Sequence, residues 1–165
     1  MRIVAIALLL AASCAQSNTG VDASPLVDAA PVVDADDRCP LAVNEIAASG
    51  DPEDWFELVN VSAGPIDLAD YRFIDEADDP NAAVLFDGGV LAAGARIVQE
   101  VSDADQGFQL GADDALWLYR VGATEPCDGV DWSAGDAPSG GSYSRVPDGT
   151  GGFTTTQPAT RGAHN

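Results

Sequence analysis

The residues able to do acid–base or nucleophilic chemistry are few. The single histidine, His164, stands second from the last position. A Ser–His–acid triad needs an imidazole held between its partners, and a position so near a chain end is expected to lie in a mobile tail. A phosphate-cradling loop ends on lysine, and the chain has none: its seven basic residues are all arginine. Glycoside hydrolysis needs two carboxyl groups about 5–9.5 Å apart across a cleft. Glu45 and Glu57 are the pair set within strand-like sequence. There a carboxylate must reach solvent or a hydrogen-bonding partner, and bonding to backbone or turn groups is the expectation. The chain is therefore expected not to be an enzyme, with a small carboxylate-dependent hydrolase as the remote alternative.

Binding chemistry has two handles. Asp75-Glu-Ala-Asp-Asp-Pro-Asn81 gathers four acids and an asparagine in a loop, and Asp103 and Asp105 lie in another. Calcium takes six to eight oxygens, but neither run has the alternating Asp spacing of an EF-hand, so solvated acidic loops are the expectation and no metal or cofactor is assigned. Trp55, Trp117 and Trp132 would stack sugars if exposed, yet each falls in a strand pattern, where core packing is expected. The charge excludes more than it assigns. Twenty-seven acids against seven arginines give a net charge of -20, which offers no basic surface to neutralise phosphates or to adsorb to an anionic leaflet. Residues 39–165 carry 22 of those acids against five arginines, so the acidity belongs mainly to the folded part. An apolar fraction of 46% excludes disorder along the whole chain.

The elements that must position these groups are short strands. From Cys39 onward no segment sustains a helical period over ten residues. Instead, apolar or alternating runs recur at Leu41–Ala48, Trp55–Val61, Tyr71–Ile74, Val84–Phe86, Arg96–Val101, Ala115–Val121, Val130–Trp132, Ser142–Val146 and, more weakly, Phe153–Thr155. Turn chemistry separates them, as in Ser49-Gly-Asp-Pro52, Ala63-Gly-Pro65, Asp87-Gly-Gly89 and Pro147-Asp-Gly149. Many short strands at close spacing predict an all-β sandwich or barrel. Ala115–Val121 is apolar on both faces for most of its length, which suits a central strand.

Ahead of this region lie two segments of a different kind. Met1 and Arg2 precede ten apolar residues, Ile3–Ala12, too few for the roughly 20 that cross a bilayer and the right length for a secretory signal peptide. Leu10-Ala-Ala-Ser-Cys14 resembles the lipobox of bacterial lipoproteins, which implies cleavage after residue 13 and lipid on Cys14. With Cys14 acylated, Cys39 and Cys127 are the remaining pair, which an oxidising compartment would join. Residues 14–38 then form a spacer. Its imperfect repeat, Val21-Asp-Ala-Ser-Pro-Leu26 and Val27-Asp-Ala-Ala-Pro-Val32 followed by Val33-Asp-Ala-Asp-Asp37, combines helix-breaking proline with mutually repelling aspartates. In extended geometry the stretch would reach roughly 70 Å.

Within residues 39–165, an ordered set of short motifs resembles the lamin tail domain. Val43-Asn-Glu-Ile46, Asp54-Trp-Phe-Glu-Leu-Val-Asn60 and Pro65-Ile-Asp-Leu68 resemble its opening. Leu110-Gly-Ala-Asp-Asp-Ala-Leu-Trp-Leu-Tyr119, Val130-Asp-Trp132, Ser142-Tyr-Ser-Arg-Val-Pro-Asp-Gly149 and Gly162-Ala-His-Asn165 follow in the family's order. Tyr71 and Arg161 stand where that family usually has Trp and Pro. The resemblance implies an immunoglobulin-like β-sandwich that works as a non-catalytic binding or anchoring surface.

The sequence therefore predicts a signal peptide over 1–13, a lipidated Cys14 with a disordered Pro/Asp-rich spacer over 14–38, and a sandwich domain over 39–165. The expected role is display at the bacterial cell envelope, at the outer membrane or cell surface, touching the membrane through the lipid alone. The expected partner is an envelope or extracellular protein or glycan, and not nucleic acid by direct charge. A calcium- or glycan-binding adhesin is the alternative.

Overall fold

A computed structural model describes residues 38–165 apart from Asp51 and residues 76–79. Among the described residues the regular structure is antiparallel β-sheet with two short 3-10 turns. The strands are β1 (Leu41–Ala47), β2 (Asp54–Asn60), β3 (Ile66–Asp67), β4 (Tyr71–Ile74), β5 (Val84–Leu85), β6 (Val90–Leu91), β7 (Arg96–Val101), β8 (Asp114–Arg120), β9 (Asp128–Trp132), β10 (Ser142–Val146) and β11 (Gly152–Thr156). All nine expected runs form strands. The two additional strands, β3 and β6, are two residues each, too short to show an alternation.

A five-stranded sheet has the order β11-β10-β1-β2-β7, a four-stranded sheet the order β5-β4-β8-β9, and β3 pairs with β6. The apolar β8 lies inside its sheet, between β4 and β9, as its two-sided hydrophobicity requires. One core cluster draws Leu41, Val43, Ile46, Phe56 and Leu58 from the larger sheet and Phe73, Leu116, Leu118 and Trp132 from the smaller. Phe56 meets Phe73 edge-on at 5.0 Å and Phe86 at 6.5 Å, the geometry that aromatic quadrupoles prefer. Trp132 is buried and donates its ring N–H to the Gly111 carbonyl at 2.9 Å. Gly129 faces Trp117 across the β8–β9 pair. A Cβ there would lie 2.4 Å from the Trp117 ring, so only glycine lets the indole cross β9.

The core is tied at one end by a disulfide between Cys39, which leads into β1, and Cys127, which leads into β9. On the chain-entropy account, closing a loop of this length stabilises by roughly 4–5 kcal/mol. Buried Asn60 sets the next turn. Its amide donates to the Gly64 carbonyl at 2.8 Å and the Leu91 carbonyl at 2.9 Å, while its oxygen accepts from the Ser62 amide and hydroxyl.

Candidate functional site

The chemistry-bearing side chains converge on the other face of the five-stranded sheet. On β1 and β2, alternation sends one set of residues to the core and leaves Glu45 and Glu57 directly opposite one another on the far face. The ladder shifts register between Val43 and Glu45. A bulge of this kind re-aims side chains, and here consecutive residues Asn44 and Glu45 both serve the polar face. Asn44, Glu45 and Glu57 are all fully buried. Two carboxylates facing each other across strands repel, and each is held by several donors.

Glu45 accepts from the Ser142 hydroxyl at 2.5 Å, the Thr160 amide at 2.8 Å and the Thr160 hydroxyl at 2.9 Å. Glu57 accepts from Asn44 Nδ2, Arg96 and the Gly162 amide, each at 2.9 Å. Arg96, from β7, also pairs with Asp148 at 2.9 Å, and its remaining contacts go to the Ala163 carbonyl and the His164 ring. Asp148 sits in the turn between β10 and β11 and accepts from the Asn165 amide at 3.1 Å. Gly149 closes that turn at φ +65°, with its amide 2.6 Å from Asn44 Oδ1. A Cβ at this glycine would strike Val61 at 2.5 Å, so both the backbone angle and the space require its identity.

The electrostatics follow from burial set against these partners. Desolvation pushes the Glu57 carboxyl upward. Asn44, Arg96 and the Gly162 amide oppose it and neighbouring Glu45 adds to it, and the net shift is upward. Burial also works to raise Asp148, but the Asn165 amide, Arg96, Asn44 and His164 outweigh it and hold that carboxyl below its ordinary range. Arg96 is raised: desolvation acts to lower it, and Asp148 and Glu57 overcome that effect.

Residues 160–165 are thus fastened over the sheet, which corrects the expectation of a mobile tail around His164. Thr160 and Gly162 donate alternate backbone amides to the two buried glutamates, and the Asn165 side chain donates to the Arg145 carbonyl at 2.9 Å. His164 touches Asp148 and Arg96 while its side chain stays 86% exposed. Sequence spacing has no means of showing this, because Thr160 and Gly162 stand 115 and 105 positions from the glutamates they serve.

The other candidates separate. Trp55 and Trp132 are buried, and Arg161 lies over the Trp55 ring at 5.6 Å. Trp117 is half-buried against Gly129. Asp105 accepts from the Ser102 hydroxyl at 3.2 Å, and the Asp103 carbonyl accepts from the Gly107 amide at 3.2 Å. Most acids of the 75–81 run, like Cys14 and the spacer up to residue 37, lie outside the described residues. Among the described residues no group of three or more His, Cys, Asp or Glu is placed to hold a metal ion, and no helix is long and apolar enough to cross a membrane. Comparison of the chain with protein-family models, with curated proteins and with solved structures finds no match.

Proposed function

We propose that the protein is an exported, lipid-anchored envelope protein that displays a non-catalytic binding domain. In this reading the chain is cleaved after residue 13 and acylated on Cys14. Residues 14–38 hold the domain clear of the membrane, and residues 39–165 form an immunoglobulin-like sandwich of the lamin-tail kind. The observation that carries the reading is the Cys39–Cys127 bond. It uses two of the three cysteines, suits an oxidising compartment, and leaves Cys14 as the one thiol for the lipobox-like sequence to present.

The polar face supports the lamin-tail resemblance. Four of the motifs that carry that resemblance supply Asn44 and Glu45, Glu57, Ser142 with Asp148 and Gly149, and Gly162 and Asn165; Asn44 bonds to Glu57 and Gly149, Gly162 to Glu57, Asn165 to Asp148, and Ser142 to Glu45. A shared sequence signature has a physical reason when its members meet in one buried network. The same saturation supports a non-catalytic role. Glu45 and Glu57 are closed off from solvent and fully engaged, so neither of the two aims a free carboxylate oxygen at a cleft. The excess of 22 acids over five arginines in residues 39–165 keeps such a domain soluble and off its own anionic membrane.

Mass spectrometry of the mature chain tests the anchor. The expected product begins at Cys14 and carries acyl groups, and the Cys14→Ser variant leaves the membrane fraction. An unacylated chain beginning elsewhere overturns the reading.

A further inference from the structure

The arginines are distributed against the general acidity. Arg38, Arg120 and Arg145 line one open groove of about 970 Å³ at the disulfide end of the domain, where Asp128 is the only acidic lining residue among the described residues. Its walls are loop and strand-end residues, including apolar Pro40, Ala42, Val61 and Ala63. Arg145 is already committed. Its guanidinium donates to the Val43 carbonyl at 2.8 Å, the Gly151 carbonyl at 3.1 Å and Asp128 at 3.0 Å, and it lies over the Phe153 ring at 4.4 Å. Asp128 in turn accepts from the Val43 amide at 2.7 Å, so the two charges of that pair cancel within the groove wall.

Arg38 and Arg120 remain. Both are exposed, and neither forms an ion pair with an acid among the described residues. They lie 82 positions apart in sequence, and the Arg120 guanidinium donates to the Arg38 backbone carbonyl at 3.3 Å, which places it against the chain just before Cys39. Two exposed guanidinium groups in the lining of a partly apolar groove, neither ion-paired among the described residues, define a ligand chemistry. Their planar donor forks match carboxylate and phosphate oxygens. A few charged groups placed among apolar walls are the usual make-up of a small-molecule site, and the groove's size falls in the usual range.

We propose that this groove binds small amphipathic anions, with a carboxylate or phosphate head between Arg38 and Arg120 and a short apolar body along Pro40, Ala42, Val61 and Ala63. The proposal rests on the binding-domain reading only in taking the domain as a receptor. Its test reads ligand binding rather than lipidation, so either can fail alone.

The experiment is titration of the full chain, monitored by backbone amide shifts, with hexanoate, hexyl phosphate, hexanol and hexylammonium. Hexanoate and hexyl phosphate are the two sources of the anionic head, and the stronger binder identifies which the groove prefers. The expected result is saturable shifts at Val61, Ser62, Cys127 and Thr150 with at least one anion. The R38Q/R120Q variant, altered only at exposed positions, is expected to weaken them about tenfold or more with an unchanged far-ultraviolet spectrum. Hexanol and hexylammonium are expected to leave these amides unmoved. Equal shifts in R38Q/R120Q, equal shifts with hexanol, or no shift with either anion at about 20 mM, a concentration that would fill about two thirds of even a site tenfold weaker than millimolar, overturns the proposal.

Discussion

The β1–β2 pair is buried on both faces, and the two faces are buried by opposite means. Toward the core, Leu41, Val43, Ile46, Phe56 and Leu58 meet the smaller sheet through apolar contact alone. On the far face, Asn44, Glu45 and Glu57 are just as inaccessible, but they are covered by residues 160–165 through directed hydrogen bonds. Apolar contact is non-directional and tolerates small shifts. A buried carboxylate tolerates none, since each oxygen without a donor bears its full desolvation cost. The first face therefore supplies most of the stability. The second fixes which segment closes over it and in what register.

The largest expected effect lies on the core face. Phe56→Ala removes a fully buried ring together with its edge contacts to Phe73 and Phe86, and should cost about 3–5 kcal/mol in urea denaturation. Next comes Glu57→Ala on the polar face. It strands the Gly162 N–H and leaves the Asn44 amide only its 3.4 Å bond to Asp148, while Arg96 keeps Asp148. Breaking a buried pair costs about 3–5 kcal/mol when the partner is left alone, so the retained Asp148 should bring this nearer 2–3 kcal/mol. Glu57→Gln keeps the shape and one acceptor, and about 1–2 kcal/mol is expected. A Glu57→Ala cost below about 0.5 kcal/mol, typical of a surface change, would show that water and not residues 160–165 serves this face, and the contrast between the faces would collapse.

The two faces were also unequally legible. The core face could be read directly, because alternation in Trp55–Val61 and the two-sided hydrophobicity of Ala115–Val121 are properties of neighbouring residues. Every expected strand formed for that reason, and β3 and β6 escaped because two residues carry no period. From the polar face the sequence offered one clue, a glutamate inside an apolar run, which requires a partner without naming it. Glu57's partners stand 13, 39 and 105 positions away. The bulge at Asn44 has no composition signal at all. The expectation for His164 failed on the same ground: proximity to a chain end predicts mobility only where nothing buried needs the end's donors. The motifs that resemble those of lamin tails contain Asn44, Glu45, Glu57, Asp148, Gly162 and Asn165, but they omit Arg96 and Thr160 and do not state which members touch.

A smaller effect separates the faces in time rather than in total stability. Amides of Phe56 and Leu58, within β2 and between two paired strands, should exchange with solvent only on global unfolding. Those of Thr160 and Gly162, which donate to Glu45 and Glu57, should be protected relative to a free peptide but open locally at lower free energy. Glu45→Gln should speed exchange at Thr160 and Glu57→Gln at Gly162, with β2 amides slowed or quickened only as global stability changes. Protection of Thr160 and Gly162 equal to that of β2 would mean that the closing segment and the core open as one unit.

The smallest expected effect is on the pH dependence, and it distinguishes two acids within the polar face itself. Burial, reinforced by Glu45 and opposed by Asn44, Arg96 and the Gly162 amide, raises the Glu57 carboxyl above its ordinary value of 4.5. The folded chain therefore holds that proton more readily than the unfolded chain, and stability rises as pH falls through the folded value toward 4.5. Asp54 and Asp128, raised mainly by burial, act in the same direction. Asp148 acts in the opposite one. Its carboxyl is held below 3.8 because its hydrogen bonds outweigh burial, so its contribution is present above that value and is lost as pH falls through the lowered one. Stability should thus increase on mild acidification from neutrality and then decline in stronger acid. Relief of self-repulsion in so acidic a chain also favours the folded state as pH falls. Urea midpoints of wild type and Glu57→Gln across the same pH series separate the two causes, since the variant lacks the titrating group but keeps nearly all the charge. A rise of equal size in Glu57→Gln would assign the effect to net charge together with Asp54 and Asp128, and Glu57 would then contribute register and closure without any pH response of its own.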